Sequence, residues 1–274
     1  MNHPPLITVY ITTKDRCDLL KRAIDSVYRQ SYQNFELIVC NDASIDTTDE
    51  LLQDYEAKHD NFSFYSSNQL QGACVQRNIA IRKAKGKFIT GLDDDDYFLP
   101  NRLEVFIRHY DNKYSFLCSS YFRNYQKEKF FLKEASGKIN LNAILHYNRV
   151  GNQVFIETKR LLELGGFDEK LPAFQDYDMW VRIIAKFGPC YKLSTPLYVC
   201  DNSHNSERIS NNSAKVIAGY EIFIAKHKNL MNTKHLDSMK LLKLSISKKK
   251  PNFLNVFLLM NSGNFKSALN QLIK

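Results

Sequence analysis

Four consecutive aspartates, Asp93 to Asp96, follow the apolar run "KFITGL" and precede "YFLP". Carboxylates placed side by side repel one another, and the repulsion raises their pKa values unless a cation compensates for it. A hard divalent ion such as Mg²⁺ or Mn²⁺ would take one or two of them and keep coordination sites for water and phosphate oxygens. The aspartates therefore indicate a metal and diphosphate site. The alternative is a solvated acidic turn in which Asp96 caps the next helix.

Other ligand-binding motifs are absent or incomplete in the sequence. Neither the phosphate loop G-x-x-x-x-G-K-[ST] nor the dinucleotide fingerprint G-x-G-x-x-G occurs, so neither an NTPase nor a dinucleotide enzyme is supported. Asp93, Asp95 and Glu104 have the spacing of three ligands of a Ca²⁺ loop, but Phe98 stands where that loop needs glycine. The six cysteines form no C-x-x-C pair, which favours reduced, mostly buried thiols over a zinc site.

Alternating strand and helix patterns surround the aspartates and predict the elements that position them. Apolar, β-branched runs predict strands at 6–12, 35–40, 62–65 and 87–92, with a helix after each of the first three. Such units indicate an α/β fold with a mainly parallel central sheet flanked by helices. Ligands of these sheets bind beyond the carboxyl ends of the strands, where "TTKDR", "NDAS" and "DDDD" lie.

The rest of the chain has a looser pattern. A helix is predicted near 101–110, and strand-like segments are "YSFLCSSYF" and "NQVFIE". After the Gly-Gly turn in "LGGFDEKLP", the apolar spacing of "QDYDMWVRIIAKFG" predicts another helix. Helices are predicted again from about residue 213 onward.

Three segments together resemble family 2 of the inverting glycosyltransferases, which have the GT-A fold. They are "ITVYITTKDR" continuing to "FELIVCNDAS", then "GACVQRNIAIRKAKGKFITGLDDDDYFLPNRL", then "GGFDEKLPAFQDYDMWVRI", in the family's order and spacing. The resemblance implies a Rossmann-like GT-A domain over 1–212, with a nucleotide-binding half at about 1–100 and an acceptor-binding half at about 101–212. The basic helical C-terminal extension over 213–274 lies outside the resemblance.

The resemblance assigns donor-binding roles to residues that follow the early strands. Thr12, Thr13 and Arg16 lie where the family's first-strand loop meets the nucleotide. Asp42 matches the aspartate that accepts a hydrogen bond from the uracil N3–H, and Arg77 matches a helix residue whose cation approaches the nucleotide-sugar. From the residues alone, Asp42 could instead stabilise the turn "NDAS", and Arg77 could be a surface residue.

The resemblance also assigns metal ligands and a catalytic base. Asp93 and Asp95 match the outer carboxylates of the family's D-x-D motif, with Asp94 between them and Asp95 as the first choice for contact with Mn²⁺ or Mg²⁺. That ion would neutralise charge developing on the leaving UDP. Asp176 matches the base that deprotonates the acceptor hydroxyl on the opposite face, so that one displacement inverts the anomeric configuration. From the residues alone, Asp176 could also cap the following helix.

Three further residues receive roles near these groups. Gln175 stands where the family usually has an acidic residue, and we expect it to contact the acceptor. Trp180, one helical turn after Asp176, would offer an apolar platform to the acceptor sugar, and core packing is the alternative. His204, in "CDNSHNSERIS", lies where related enzymes place a histidine near the metal or diphosphate; alternatively it is a surface residue.

The charge of the chain is uneven. The formal net charge is +9, and residues 215–274 account for all of it with eleven lysines and two acidic residues. A neutral body with a basic tail points to an anionic surface such as membrane headgroups. Leu236, Met239, Leu242 and Ile246 recur at helical intervals, which suits a helix lying on an anionic leaflet or a helical pair packed on the domain.

The two ends of the chain bear on its location. The segment "MNHPPLITVY" has no basic stretch followed by a long apolar one, so a cleaved secretion signal is not expected. The apolar run "FLNVFLLM" is too short to span a bilayer. We therefore expect a cytoplasmic protein bound peripherally to the inner face of the cytoplasmic membrane.

These features predict a metal-dependent inverting glycosyltransferase. It would move a hexose from a UDP-sugar to a saccharide or lipid-linked saccharide and form a β-glycosidic bond; the resemblance alone implies a role in surface polysaccharide, O-antigen or lipooligosaccharide synthesis. The alternative is a non-catalytic nucleotide-sugar-binding protein, which would tolerate loss of the Asp176 carboxylate. A nucleic-acid-binding protein is disfavoured because the body is neutral and lacks interleaved aromatic and basic residues.

Overall fold

One mixed sheet with helices on both faces forms the centre of the protein. The computed structural model describes residues 4–125, 128–131, 135–203, 212–247, 253–266 and 268–269. Its strands are β1 (Ile7–Thr13), β2 (Phe35–Asp42), β3 (Phe62–Ser67), β4 (Phe88–Asp93), β5 (Tyr97–Phe98), β6 (Leu117–Tyr125), β7 (Glu128–Phe131), β8 (Gly137–Ile139), β9 (Val154–Glu157) and β10 (Cys190–Asp201). Its helices are α1 (Cys17–Tyr28), α2 (Thr48–Lys58), α3 (Ala73–Lys83), α4 (Arg102–His109), α5 (Leu141–Ile144), α6 (Thr158–Glu163), α7 (Gln175–Phe187), α8 (Ser213–His227), α9 (Thr233–Ile246) and α10 (Phe253–Leu259).

The strand order separates two halves of the sheet. The order is β3-β2-β1-β4-β9-β6-β10-β5, with β7 paired to β6 and β8 paired to β10. The first four strands in this order are parallel, as the sequence predicts. Strand β9 then runs antiparallel to both β4 and β6, while β10 runs parallel to β6. The α/β fold with a central sheet is confirmed, and its antiparallel strands lie in the second half.

Each face of the parallel strands is buried under helices. Val9 and Ile11 of β1 belong to one apolar cluster, which includes residues of α1 and α4, and Tyr10 belongs to a second cluster with residues of α3 and α7. Neighbouring side chains on a strand point to opposite faces, so the two clusters cover the two sides of the sheet. Burial on both faces explains the apolar residues at successive positions of the central strands β1, β2 and β4.

The helical extension packs on the domain that carries the sheet. Phe223 of α8 stacks on Tyr177 of α7 with ring centroids 4.4 Å apart. Met239 of α9 is buried in the same core cluster, and Leu242 and Ile246 pack against it. The apolar stripe of α9 therefore faces the protein, so the alternative of a packed helical pair holds and the expectation that this stripe lies on a membrane is wrong.

Within the described ranges, no helix is long and apolar enough to cross a membrane.

Candidate active site

The four aspartates lie at the carboxyl end of β4, as the sequence predicts. Asp93, Asp95 and Asp96 each offer a carboxylate oxygen, and these oxygens lie within 4.8 Å of one another. Asp94, Asp95 and Asp96 are buried. The alternative of a solvated acidic turn is therefore wrong. Asn101 occupies the N-cap position of α4, so Asp96 does not cap that helix either.

Asp94 has a different set of contacts from its neighbours. Its Oδ2 accepts a hydrogen bond from Thr13 Oγ1 at 2.9 Å, and its Oδ1 accepts one from Arg16 Nη1 at 2.8 Å. Arg16 Nη1 also lies 3.5 Å from a carboxylate oxygen of Asp95. Burial raises the pKa of Asp94 to about 6, which Arg16 opposes and Asp95 reinforces. Asp94 thus ties the loop after β1 to the end of β4, while its neighbours form the oxygen cluster.

Arg77 joins the aspartate cluster to Asp176. Its Nη1 donates to Asp176 Oδ1 at 2.8 Å, and its Nη2 lies 3.4 Å from Asp93 Oδ1. Arg77 is buried, so its alternative as a surface residue is wrong. The side chain of Asp176 is 22% exposed, and Phe174 rather than Asp176 occupies the N-cap position of α7. The structure therefore brings three separately predicted residues together.

This bridge sets the electrostatics of Asp176. Burial raises the pKa of Asp176 to about 6, against the lowering effect of Arg77 and with a further contribution from Asp93. Burial alone would lower the pKa of Arg77, but the charges of Asp176 and Asp93 raise it. Arg77 therefore stays a cation, and Asp176 has the pKa of a carboxylate that can exchange a proton near neutral pH.

Two residues that the sequence analysis missed hold Asp93. Asn152 Nδ2 donates to Asp93 Oδ2, and Gln153 Nε2 donates to Asp93 Oδ1 at 3.0 Å. Tyr198 in turn donates its hydroxyl proton to Asn152 Oδ1 at 2.8 Å. Thr90 of β4 pairs with Phe155 of β9, so two polar residues just before β9 come beside the end of β4. The sequence does show two adjacent polar residues before "VFIE". Their contact with Asp93 could not be predicted, because it depends on the antiparallel pairing of β9 with β4.

The end of β10 is a second feature that the sequence analysis missed. Asp201 donates its backbone N–H to Asp96 Oδ1 at 2.9 Å. Arg22 of α1 pairs with the Asp201 carboxylate and donates through Nη2 to the backbone oxygen of Asp95 at 2.6 Å. Asp201 thus connects the aspartate cluster to the chain that continues toward His204. His204 itself lies outside the described residues.

Asp42 lies at the end of β2 and receives three hydrogen bonds. Its Oδ1 accepts from the Gln71 N–H at 2.8 Å and from Gln76 Nε2 at 3.0 Å, and its Oδ2 accepts from the Gly72 N–H at 2.8 Å. A carboxylate offers about four acceptor positions, so one remains on Oδ2. Asp42 therefore holds the segment before α3, whereas Asn41 accepts the hydrogen bonds of Ser44 within "NDAS", so the alternative role of Asp42 in that turn is wrong. The remaining position is compatible with a uracil N3–H.

The remaining predicted residues have mixed outcomes. Thr12 is half-buried and pairs with Asp93 in the register of β1 and β4. Gln175 begins α7 and donates to the Leu171 carbonyl at 3.2 Å. Trp180 is buried, and its Nε1 donates to the Gly151 carbonyl at 2.9 Å. The expected acceptor platform at Trp180 is therefore wrong, because its ring is part of the core.

Comparison with solved structures identifies the fold. The chain is similar to the crystal structure of S. aureus TarS 1-349 in complex with UDP-GlcNAc, with a TM-score of 0.71 and 17% sequence identity. The similarity covers 97% of this chain and 79% of that chain. At this identity the likeness concerns the fold, which is the GT-A fold of a glycosyltransferase.

The sequence places the protein within this class. Residues 8–162 match the family model "Glycosyl transferase family 2", and the chain belongs to that family. It is 38% identical over 240 residues to WcaA of Escherichia coli (strain K12), whose name describes a glycosyl transferase of colanic acid biosynthesis. The matched residues make up 84% of each of the two chains. It is 28% identical over 187 residues to the E. coli UDP-Glc:alpha-D-GlcNAc-diphosphoundecaprenol beta-1,3-glucosyltransferase WfaP, covering 66% of this chain and 71% of that protein.

Proposed function

We propose that the protein is a metal-dependent, inverting glycosyltransferase that moves a hexose from a UDP-sugar to a saccharide or lipid-linked saccharide. The observation that carries this proposal is the arrangement of Arg77 between Asp176 and Asp93. It puts a base with a pKa of about 6 beside a cluster of acidic oxygens at the end of β4. A base that activates the acceptor hydroxyl and a nearby group that can hold the departing diphosphate are the two requirements of a single displacement at an anomeric carbon.

The acidic cluster fits a hard divalent cation. The candidate ligands Asp93, Asp95 and Asp96 offer only oxygen atoms, and Mg²⁺ and Mn²⁺ prefer such ligands to nitrogen or sulfur. When bound, the ion would supply Lewis-acid stabilisation of the leaving UDP. Asn152 and Gln153 would orient the Asp93 carboxylate toward it through the two hydrogen bonds they donate.

Asp176 is the residue that we assign as catalytic base. Arg77 holds Oδ1, so Oδ2 is the oxygen that can accept the proton of an acceptor hydroxyl. Removing that proton as the hydroxyl attacks the anomeric carbon, opposite the departing UDP, converts an α-linked donor into a β-glycoside. The guanidinium of Arg77 keeps the carboxylate oriented and moderates its pKa.

The choice of donor and acceptor has separate support. Asp42 has one position left that can accept a hydrogen bond, and the N3–H group of uracil can donate to it. The TarS structure is a complex with UDP-GlcNAc. The name of WfaP describes a UDP-Glc donor and a diphosphoundecaprenol-linked acceptor, and that of WcaA describes colanic acid biosynthesis. We therefore place the reaction in surface polysaccharide synthesis at the cytoplasmic face of the membrane, where a lipid-linked acceptor would be presented.

Release of UDP tests the activity. Several UDP-hexoses are incubated with the protein and saccharide acceptors in Mn²⁺, Mg²⁺ or EDTA, and UDP is measured. We expect release from at least one donor with a metal and its loss in EDTA. Asp176→Asn should reduce turnover by about 10²–10⁴-fold while UDP binding persists. The control is Asp54→Asn, because Asp54 is an exposed carboxylate on α2.

Two results would contradict the proposal. If Asp176→Asn turned over as fast as the parent protein, Asp176 would not be the base. Binding of UDP without release from any UDP-hexose, in either metal, would favour the non-catalytic nucleotide-sugar-binding alternative. The anomeric configuration of the product, read by proton NMR, tests inversion separately, and an α-linked product would exclude it.

A further inference from the structure

The last helix of the protein, α10, carries an exposed apolar face. Phe253, Leu254, Phe257 and Leu258 are 67%, 59%, 56% and 68% exposed. They follow the i, i+1, i+4, i+5 spacing, so the helical period places them on one side. Of the twelve large apolar side chains that are exposed in the described part of the chain, six lie between residues 253 and 269. Such a concentration marks a surface that contacts another molecule or a membrane.

The opposite side of α10 is anchored to the rest of the protein. Val256 is fully buried and packs with Leu241 of α9 and with Ala268. Helix α9 is held in turn on the domain, because Ser238 Oγ lies 2.7 Å from Nδ1 of the buried His146. Helix α10 therefore already has an inward side, and its exposed side is available for a second contact.

Positive charge borders the exposed face. Seven lysines and no acidic residue follow Asp237 in the sequence. Lys240 and Lys243 line, together with Leu258, a groove of about 450 Å³ between α9 and α10. These two lysines form ion pairs with Asp237 and Glu221, which are the two acidic residues of the extension. Exposed apolar side chains in a segment that carries seven lysines and no acidic residue are the features of a surface that binds anionic lipid.

We propose that the exposed face of α10 inserts into the headgroup region of an anionic bilayer, with the neighbouring lysines on the headgroups. Phe257 and Leu258 would enter the boundary between headgroups and acyl chains, and the lysines would stay at the phosphate level. A second copy of the chain is the poorer occupant, because it would bring an equally basic extension against this one. Anionic lipid instead neutralises the charge.

Flotation with vesicles tests the proposal on the full chain. Vesicles of phosphatidylcholine with or without phosphatidylglycerol are centrifuged with the protein in a sucrose gradient. We expect the protein to float with the anionic vesicles and to do so less as salt is added, because salt screens the lysines. The double variant Phe257→Asn, Leu258→Asn should partition at least about 10-fold more weakly, given the transfer free energy of two large apolar side chains.

A matched control separates the surface from a general loss of hydrophobicity. Leu162 on α6 is 47% exposed and lies outside the extension, so Leu162→Asn should float like the parent protein. Far-ultraviolet circular dichroism and UDP release with an unlipidated acceptor establish that the double variant is folded. Vesicle binding needs neither donor nor acceptor, so a failure of flotation and a failure of the proposed glycosyl transfer are separate results.

A fluorescent reporter tests depth without weakening the surface. Trp180 is the single tryptophan and is buried in the core. Phe257→Trp therefore adds one exposed indole. The fluorescence that this variant has in excess of the parent protein should shift to the blue when anionic vesicles are added, and lipids brominated on the acyl chain should quench it. An unchanged emission in the presence of anionic vesicles would overturn the proposal.

Two flotation results would also overturn it. Equal flotation of the double variant and the parent protein would exclude the α10 face, and no flotation of the parent protein would exclude the membrane. If light scattering found a dimer that the double variant abolished, with no flotation of the parent protein, the face would belong to a second copy.

Discussion

At the scale of single residues, Arg77 connects the acidic cluster to the proposed base. A buried arginine paired with two carboxylates keeps its charge, so it both orients Asp176 and limits the rise of its pKa. Without the pairing, burial would favour the protonated form of Asp176 still more. The balance of burial and pairing is what gives an aspartate a pKa suited to proton transfer near neutral pH.

The raised pKa of Asp176 predicts the pH dependence of the reaction. A general base works when deprotonated, so kcat/KM should fall as the pH drops below about 6, the pKa of Asp176 in the free protein. The measurement is kcat/KM for UDP release over a pH series at saturating metal. An acid limb near the ordinary aspartate pKa of about 3.9 would contradict the desolvation of this carboxylate.

Asn152 should act on the metal through Asp93. Removing its amide in Asn152→Ala frees Asp93 Oδ2 to rotate, so we expect the Mn²⁺ concentration for half-maximal UDP release to rise about 10-fold or more. A metal titration at fixed donor measures this. Asn112→Ala, at an exposed position, is the control and should leave the titration unchanged. An unaltered midpoint for Asn152→Ala would exclude a positioning role.

At the scale of elements, the contact between α7 and α8 links the extension to the active site. Gly219 of α8 lies against Ala173, where an added Cβ would come within 2.6 Å of the Ala173 carbonyl oxygen. Asp178 of α7 is fully buried, and Lys226 and His227 of α8 both contact its carboxylate oxygen Oδ1. Burial alone would raise the pKa of Asp178, but these partners and Arg182 lower it to about 2. Helix α8 thus supports the helix that begins beside Asp176.

A pair of neighbouring substitutions tests this support. Phe223 of α8 is fully buried against Phe174 and Tyr177, whereas its neighbour Ile222 is 37% exposed. Phe223→Ala should lower the free energy of unfolding by about 3–5 kcal/mol, because it removes a large aromatic side chain and leaves a cavity. Ile222→Ala should cost much less. Urea denaturation measures both, and equal losses would contradict the packing of α8 on α7.

At the scale of the whole molecule, a buried polar network fixes the extension. His146 lies between the sheet domain and α9, where it meets Ser238 and packs against the ring of His235 at 4.4 Å. Asn264, beyond α10, donates to the same Ser238 hydroxyl at 3.0 Å. The contact of α9 and Asn264 with the domain is therefore made through histidine, serine and asparagine side chains rather than through lysines.

The network predicts a pH-dependent stability. Burial first, and then His235, Arg149 and Lys234, lower the pKa of His146 to about 4, whereas an unfolded histidine has a pKa of about 6.5. The unfolded state therefore binds more protons between these values, so this contribution to stability is present above pH 6.5 and lost as the pH falls toward 4.

Thermal unfolding of a histidine variant checks this contribution. Asn can replace the Nδ1 contact of His146 without titrating, so His146→Asn should lose less Tm than the parent protein between pH 6.5 and pH 4. Each difference of about 1 kcal/mol corresponds to about 2–4 °C in a protein of this size. His109→Asn, on the exposed side of α4, is the control. Identical Tm curves for His146→Asn and the parent protein would exclude the effect.

The sequence alone determined the parts of this protein that depend on local patterns. Apolar runs placed the parallel strands β1 to β4, and helical spacing placed α7, because these signals lie within each segment. The residue types after β4 indicated the cluster Asp93 to Asp96 beyond a strand end, where ligands of such sheets bind. The roles of Arg77 and Asp176, which lie on α3 and α7, came from the resemblance to family 2 glycosyltransferases, because the residues alone left a surface position and a helix cap as alternatives.

Tertiary structure decided what depends on distant packing. Asn152 reaches Asp93 across 59 residues, and Asp201 reaches Asp96 across 105, through strand pairings that no local pattern specifies. Trp180 is buried and the apolar stripe of α9 packs on the core, while the similar apolar face of α10 is exposed. An amphipathic helix has the same sequence pattern whether its apolar side meets a core or another partner, so only the packing of the chain distinguishes the two.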